Sequence, residues 1–339
     1  MAKKRTKISD IAKRLGVSTA LVSFVLNGKS KEKRISDEMS KKVVETAKKM
    51  SYKPNSLAKG LRTGKSNTIG LILADISNPY FAKLARFIEI EATKYNYRVI
   101  FSNSDEDNEK FATQLEVLID EHVDGFILTP PIGSEKELIS LQKREIPFVI
   151  IDRVFKNVKS HSVIIDNFQS GYHATKRLIK NNRKNIAVVN VNNQLSIMRQ
   201  RVEGYKKALI DSNIDVDTNL IKNLKFSHEK KLVMNAIQDL ILKNADAILF
   251  TTNKLGVLGI ECLRELGKKI PNDFAIISFD DTDAYKVACT PISAIVQPVE
   301  TMSKEAIRIL QKMIEGNYVH GKYENIMLDV DFVFRESCK

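Results

Sequence analysis

The sequence predicts an N-terminal all-α helix-turn-helix module (residues 1–50), a linker (51–66) and a two-lobed α/β core (67–339). Three observations carry that reading. Basic side chains crowd the start: residues 1–66 hold 18 Lys and Arg against 5 Asp and Glu, while the remaining residues hold 36 of each. Apolar residues between 8 and 50 recur at helical spacing, broken by a glycine turn. From Thr68 onward, short apolar runs alternate with amphipathic stretches, and the series restarts at Ile186.

The elements follow in order. Ile8, Ile11, Ala12 and Leu15 share one helical face. Gly16 can take the left-handed conformation that ends a helix. Ser18 is a good N-cap for a second helix, with Leu21, Val22, Val25 and Leu26 on its apolar side. Ser36 caps a third, where Asp37 and Glu38 meet the positive end of the helix dipole. Residues 51–66 contain Pro54, Gly60 and Gly64 around Leu57, Ala58 and Leu61, which reads as a linker that becomes helical when held.

In the core, Ile69–Ala74, Val99–Phe101, Phe126–Leu128 and Phe148–Ile151 read as buried strands. Ile186–Val189, Ile248–Phe250 and Ile276–Phe279 repeat the pattern. Two similar parallel-sheet lobes are expected: lobe 1 near 67–166 plus 297–325, lobe 2 near 167–296 plus 326–339. Ligands of open α/β sheets sit at the carboxyl ends of the strands. Those ends carry Asp75, Asn103, Asp152, Asp166 and Asp280, which suits a small polar molecule between the lobes.

The whole net charge of +13 therefore belongs to the first fifth of the chain, an electrostatic footprint for a polyanion. No Trp/Phe/Leu-rich amphipathic helix points to a membrane surface. The 3 cysteines are far apart, which excludes a disulfide scaffold and a cysteine zinc site. No apolar stretch approaches the ~20 residues of a membrane span, and no apolar segment follows the basic start, so the cytoplasm is the expected compartment. No catalytic constellation assembles. Gly60–Ser66 has three residues between its glycines where a P-loop has four, and it lies in a linker. The five histidines are scattered. Asp280-Asp281 with Asp283 lacks the glycine and distal Glu of a calcium loop. Neither a metal nor a cofactor nor an enzyme activity is expected.

Taken together, several segments resemble the LacI/GalR family of bacterial transcription regulators. They are ISDIAKRLGVSTALVSFVLNG (8–28), YKPNSLAKGLRTGKSNTIGLILADISNPYF (52–81), PFVIIDR, IIDNFQSGYHAT, RVEGYKKAL, ISFDDTD and IVQP. The resemblance implies a sensor core with the type I periplasmic-binding-protein-like fold. It also implies a homodimer, in some members a tetramer, on an inverted-repeat DNA operator, with affinity set by a bound small molecule.

In such a module the second helix enters the major groove. That places Thr19 and Ala20 at the reading positions, beside the cap Ser18, with Ser23, Phe24 and Asn27 further on. Ala20 offers only a methyl-sized contact, such as to a thymine methyl. Many relatives have Thr where this chain has Leu21, and Arg or His where it has Phe24. Leu21 cannot bond a phosphate, and Phe24 either contacts the groove or packs in the core. The basic loop Lys29–Arg34 would replace the lost phosphate contacts, with Arg34 and Ser36 at its end. By resemblance, Asn55 and Leu61 belong to a hinge helix whose Leu61 wedges into the minor groove. The resemblance places the effector among Tyr80, Phe81, Asp152, Arg201, Phe226, Asn253 and Asp280, with Asp75 and Asn103 at neighbouring strand ends. For Asp152 a local ion pair with Arg153 is the alternative. A sugar is the first expectation for the effector, a nucleobase or a phosphoprotein co-effector the second. An exported solute receptor would need a signal peptide.

Overall fold

The structure, a computed structural model, describes residues 6–52, 65–155, 157–192, 195–225, 229–319 and 321–339. The chain divides into two compact units, residues 1–66 and 67–339.

The first unit holds α1 (Ile8–Leu15), α2 (Thr19–Leu26) and α3 (Asp37–Lys49). Gly16 ends α1 at φ +66° and donates to the Ala12 carbonyl, the conformation that only glycine takes without strain. The Ser18 hydroxyl accepts from Leu21 N at 3.1 Å, and Ser36 accepts from Met39 N at 3.3 Å. Both helix starts are therefore capped as the sequence predicts. Ile11, Ala12, Val22, Val25, Val43 and Ala47 are buried together, with Leu21, Ile35 and Met39 packed against them.

The second unit contains two six-stranded sheets. Lobe 1 begins with β1 (Thr68–Leu73), β2 (Arg98–Asn103), β3 (Gly125–Leu128), β4 (Phe148–Ile151) and β5 (His161–Ile165). Lobe 2 begins with β6 (Ile186–Asn192), β7 (Ile221–Lys225), β8 (Ala247–Phe250), β9 (Ala275–Phe279) and β10 (Ser293–Val296). Then β11 (Asn325–Leu328) returns to lobe 1 and β12 (Asp331–Val333) to lobe 2. The orders are β11-β5-β4-β3-β1-β2 and β12-β10-β9-β8-β6-β7, so the two lobes repeat one topology. All pairs are parallel except β10 with β12. Because β11 pairs along β5 through Leu328, the last crossing falls after 328, three residues later than the boundary expected after 325.

Helices cover the faces. α4 (Pro79–Lys94), α5 (Asn108–Asp120), α6 (Glu135–Lys143) and the late α12 (Val299–Ile314) belong to lobe 1. α7 (Asn167–Lys180), α8 (Ser196–Ile210), α9 (Lys230–Leu242), α10 (Asn253–Glu265) and the short α11 (Asp283–Val287) belong to lobe 2. β1, β3, β4, β8 and β9 are buried throughout, which is why they read as unbroken apolar runs. α7 and α8 pack with touching backbones. A Cβ on Gly204 would lie 2.0 Å from the Phe168 carbonyl oxygen, and one on Gly171 2.2 Å from that of Arg201. These two glycines set how deep α8, and with it Arg201, sits in lobe 2.

Candidate functional site

In the first unit, α2 exposes Thr19, Ala20 and Asn27, while Ser23 and Phe24 are half-buried. The Asn27 amide donates to the Ser23 carbonyl at 2.7 Å and to its hydroxyl at 3.3 Å. Phe24 stays outside the apolar core of the unit, and the Lys33 ammonium lies over its ring at 5.4 Å from the centroid. Leu21 packs against the core instead. Arg34 and Ser36 are exposed at the end of the basic loop. Asn55 and Leu61 lie outside the described residues, as does Phe226 in the second unit.

In the second unit, charged and polar side chains converge at the carboxyl ends of the strands. Asp152 follows β4 and Asp280 follows β9, and both adopt left-handed backbone, at φ 69° and 62°. Each backbone N–H then bonds the next strand over, Asp152 to Val163 O and Asp280 to Ile295 O, both at 2.9 Å. The same local device in each lobe turns one carboxylate into the space between them. Tyr80, from α4, donates its hydroxyl to Asp152 Oδ1 at 2.9 Å. Gln297 donates to Asp280 Oδ1 at 2.7 Å. Arg201, from α8, donates through Nε to Asn167 Oδ1 at 2.8 Å and through Nη1 to the Thr251 carbonyl at 2.5 Å. Its guanidinium stacks on Phe279, 3.8 Å from the ring centroid.

The electrostatics follow from burial. Asp152, Arg201 and Asp280 are 5%, 2% and 9% exposed. Desolvation pushes the Asp152 carboxyl up to about 6, against the pull of Arg201 and Arg153. Burial also raises Asp280, opposed by Arg201 and the Gln297 bond, and it lowers Arg201. Arg201 thus pulls on both carboxylates across the cluster, with Arg153 adding to its pull on Asp152. Arg153 grips Glu106 through Nη1 and Nη2, and its charge also pulls on the neighbouring Asp152.

The lobes also touch directly. Asn253 donates to Asn78 Oδ1 at 2.7 Å, and Lys254 Nζ lies 3.9 Å from Asp75 Oδ2. Between them remains a cavity of about 80 Å³, walled by Phe81, Val191, Leu195, Ile197, Met198 and Leu255. That is room for no more than a few water-sized molecules in this arrangement of the lobes. Asn103 lies beside this region, accepting from Ile76 N at 3.1 Å. Asp166 is used differently: it caps α7 through Gln169 N at 2.9 Å.

The structure therefore brings together Asp75, Tyr80, Phe81, Asp152, Arg201, Asn253 and Asp280. It adds Asn78, Asn167, Thr251, Lys254 and Gln297, which sequence reasoning did not single out. Gln297 stood within the quoted IVQP segment, and Asn78 was legible as the cap before Pro79. Thr251 contributes a backbone carbonyl, for which side-chain identity gives no signal. Among the described residues no group of acidic, His or Cys side chains could hold a metal ion. No described helix is long and apolar enough to cross a membrane.

Both units match known families. The profile of bacterial regulatory proteins, lacI family, covers residues 7–55. That of periplasmic binding proteins and the sugar binding domain of the LacI family covers residues 66–288. The chain belongs to the LacI family. Catabolite control protein A of Priestia megaterium is 32% identical over 98% of this chain and 99% of its own. The ribose operon repressor of Haemophilus influenzae is 27% identical over 97% of this chain and 98% of its own. The lac repressor dimer, solved with operator and the anti-inducer ONPF, has the same fold, with a TM-score of 0.86 over 99% of both chains at 20% identity. As a LacI family member the protein is a DNA-binding transcriptional regulator and not an enzyme. Its core has the type I periplasmic-binding-like fold expected from the sequence.

Proposed function

We propose that the protein is a homodimeric repressor whose affinity for an inverted-repeat operator is set by a polyhydroxylated small molecule, a sugar or sugar derivative, held between its lobes. The observation that carries this is the buried cluster of Tyr80, Asp152, Arg201, Asn253, Asp280 and Gln297. Carboxylates accept from ligand hydroxyls, while Arg, Asn and Gln donate. The apolar wall around Phe81 suits the faces of a sugar ring. The likeness to a ribose operon repressor supports a carbohydrate. On the DNA side, Ser18, Thr19, Ala20, Ser23, Phe24, Asn27, Arg34 and Ser36 form the contact surface, joined by Asn55 and Leu61 of the hinge.

Closure supplies the switch. A ligand that favours one arrangement of the lobes shifts the DNA-competent population by its differential affinity, typically ~1–3 kcal/mol. The test is selection of duplexes from a random pool at fixed salt, with and without a panel of sugars. An inverted repeat whose yield changes with one sugar supports the reading. Binding without sequence preference would overturn it. The likeness to catabolite control protein A points to catabolite control, and for such a regulator the sequence leaves a second reading open, a phosphoprotein as effector. It takes over if specific DNA binding answers to no sugar or nucleobase but does answer to a phosphoprotein fraction.

A further inference from the structure

α2, the helix placed for the major groove, carries no basic side chain over Thr19–Leu26. Its one exposed amide, on Asn27, is already donated to Ser23. The helix thus lacks any cationic donor for a guanine edge, the commonest specific contact in the groove. The loop that follows supplies one. Residues 29–34 fold back as a closed turn: Lys29 N bonds Phe24 O at 2.9 Å, Lys33 N bonds Lys29 O at 3.0 Å, and Ile35 N bonds Ser30 O at 2.9 Å. Arg34, at φ 52°, reverses the chain into the Ser36 cap. The result lays Lys33 on the Phe24 ring, nine residues back. Glu32 steadies it at 3.4 Å while also facing Lys29 at 3.7 Å. Lys33 keeps 44% of its side chain exposed, so its ammonium remains available.

We propose that Lys33 is a base-reading residue and Phe24 its positioning platform, so that one specificity element is shared between the helix and the loop. The Phe24 face holds the ammonium by cation–π attraction. The ring edge presents an apolar surface to a thymine methyl, and Lys33 donates to guanine O6 or N7 at a neighbouring pair. Lys29, Lys31 and Arg34 are left for phosphates. Glu32 is a weak exposed partner that the DNA displaces.

The experiment uses the full chain. Duplexes are selected from a random pool with the unsubstituted protein, Lys33→Met and Phe24→Leu. Binding to the selected site and to single-base variants is then measured across salt. Lys33→Met keeps the stem over the ring and removes the charge. It is expected to lose about tenfold discrimination at one guanine per half-site, with the other positions unchanged. Phe24→Leu is expected to weaken the same guanine preference and the adjacent thymine preference. A uniform loss on all sequences, with the salt slope reduced by about one per half-site, would make Lys33 a phosphate contact and overturn the proposal. Unchanged preferences in Lys33→Met would overturn it too, as would selection of no guanine near the α2 register.

Discussion

Replacing Arg201 by Met tests whether this side chain is present for its charge. The thioether fills much of the volume and keeps contact with the Phe279 face that the guanidinium covers. Two separable losses follow. Asn167 Oδ1 and the Thr251 carbonyl lose their donor, a cost of about 1–3 kcal/mol each that does not depend on pH. Asp152 and Asp280 lose the cation that most opposes their desolvation. If each carboxyl rises by one further unit, the pair costs about 3 kcal/mol more at neutral pH. The sign is set by linkage. A carboxyl raised in the folded state destabilises it when ionised, and that penalty fades as pH falls through the folded value towards the unfolded one. With Asp152 at about 6 in the unsubstituted protein, both proteins hold this carboxyl largely protonated near pH 5. The Asp152 share, about 1.4 kcal/mol, should therefore be largely present at about pH 7.5 and largely gone at about pH 5, and the Asp280 share fades in the same direction as pH falls. Urea unfolding at the two pH values, followed by circular dichroism because the chain has no tryptophan, measures this. An equal deficit at both pH values would refute charge compensation and leave Arg201 a packing and hydrogen-bonding residue.

Asp152→Asn should flatten the pH dependence of stability between about 4 and 6 and raise stability above that window by up to about 3 kcal/mol, seen as a melting temperature that no longer falls with rising pH. Gly204→Ala forces a Cβ against the Phe168 carbonyl and should cost about 1–3 kcal/mol, with a loss of effector response larger than that of a surface control, because α8 carries Arg201. Ser18→Ala removes the α2 cap and should lower the stability of residues 1–66 by about 1 kcal/mol, leaving the melting of residues 67–339 unmoved in calorimetry.

Much of the architecture was readable because burial imposes composition. Strands covered on both faces must be apolar, so β1, β3, β4, β6, β8 and β9 announced themselves as runs, and β2 by its apolar middle. The strands that escaped are β5, β7, β10, β11 and β12. β7 reads IKNLK, polar because its sheet leaves it at an edge, and β12 spans three residues. The caps at Ser18 and Ser36 were visible because their chemistry is local. Phe24 was not decidable from spacing alone. Its position relative to the core depends on where the loop to Lys33 returns, and that is a long-range fact. In the cleft, Asp152 and Asp280 were placed by the strand-end rule, but Asp166 obeyed the same rule and serves a helix instead. Strand ends nominate positions; which side chains enter the cleft depends on the local backbone, left-handed at Asp152 and Asp280, helix-capping at Asp166.

The interleaved path of the second unit has a consequence for how it is made. Lobe 1 starts first on the chain, yet α12, which buries Met302, Ala306, Ile307 and Leu310 against it, and its edge strand β11 come after all of lobe 2's first five strands. On a ribosome, lobe 2 has its central sheet in hand before lobe 1 can be roofed. The earlier half therefore waits with apolar surface open, and no single cut of the backbone could release either half as a finished body.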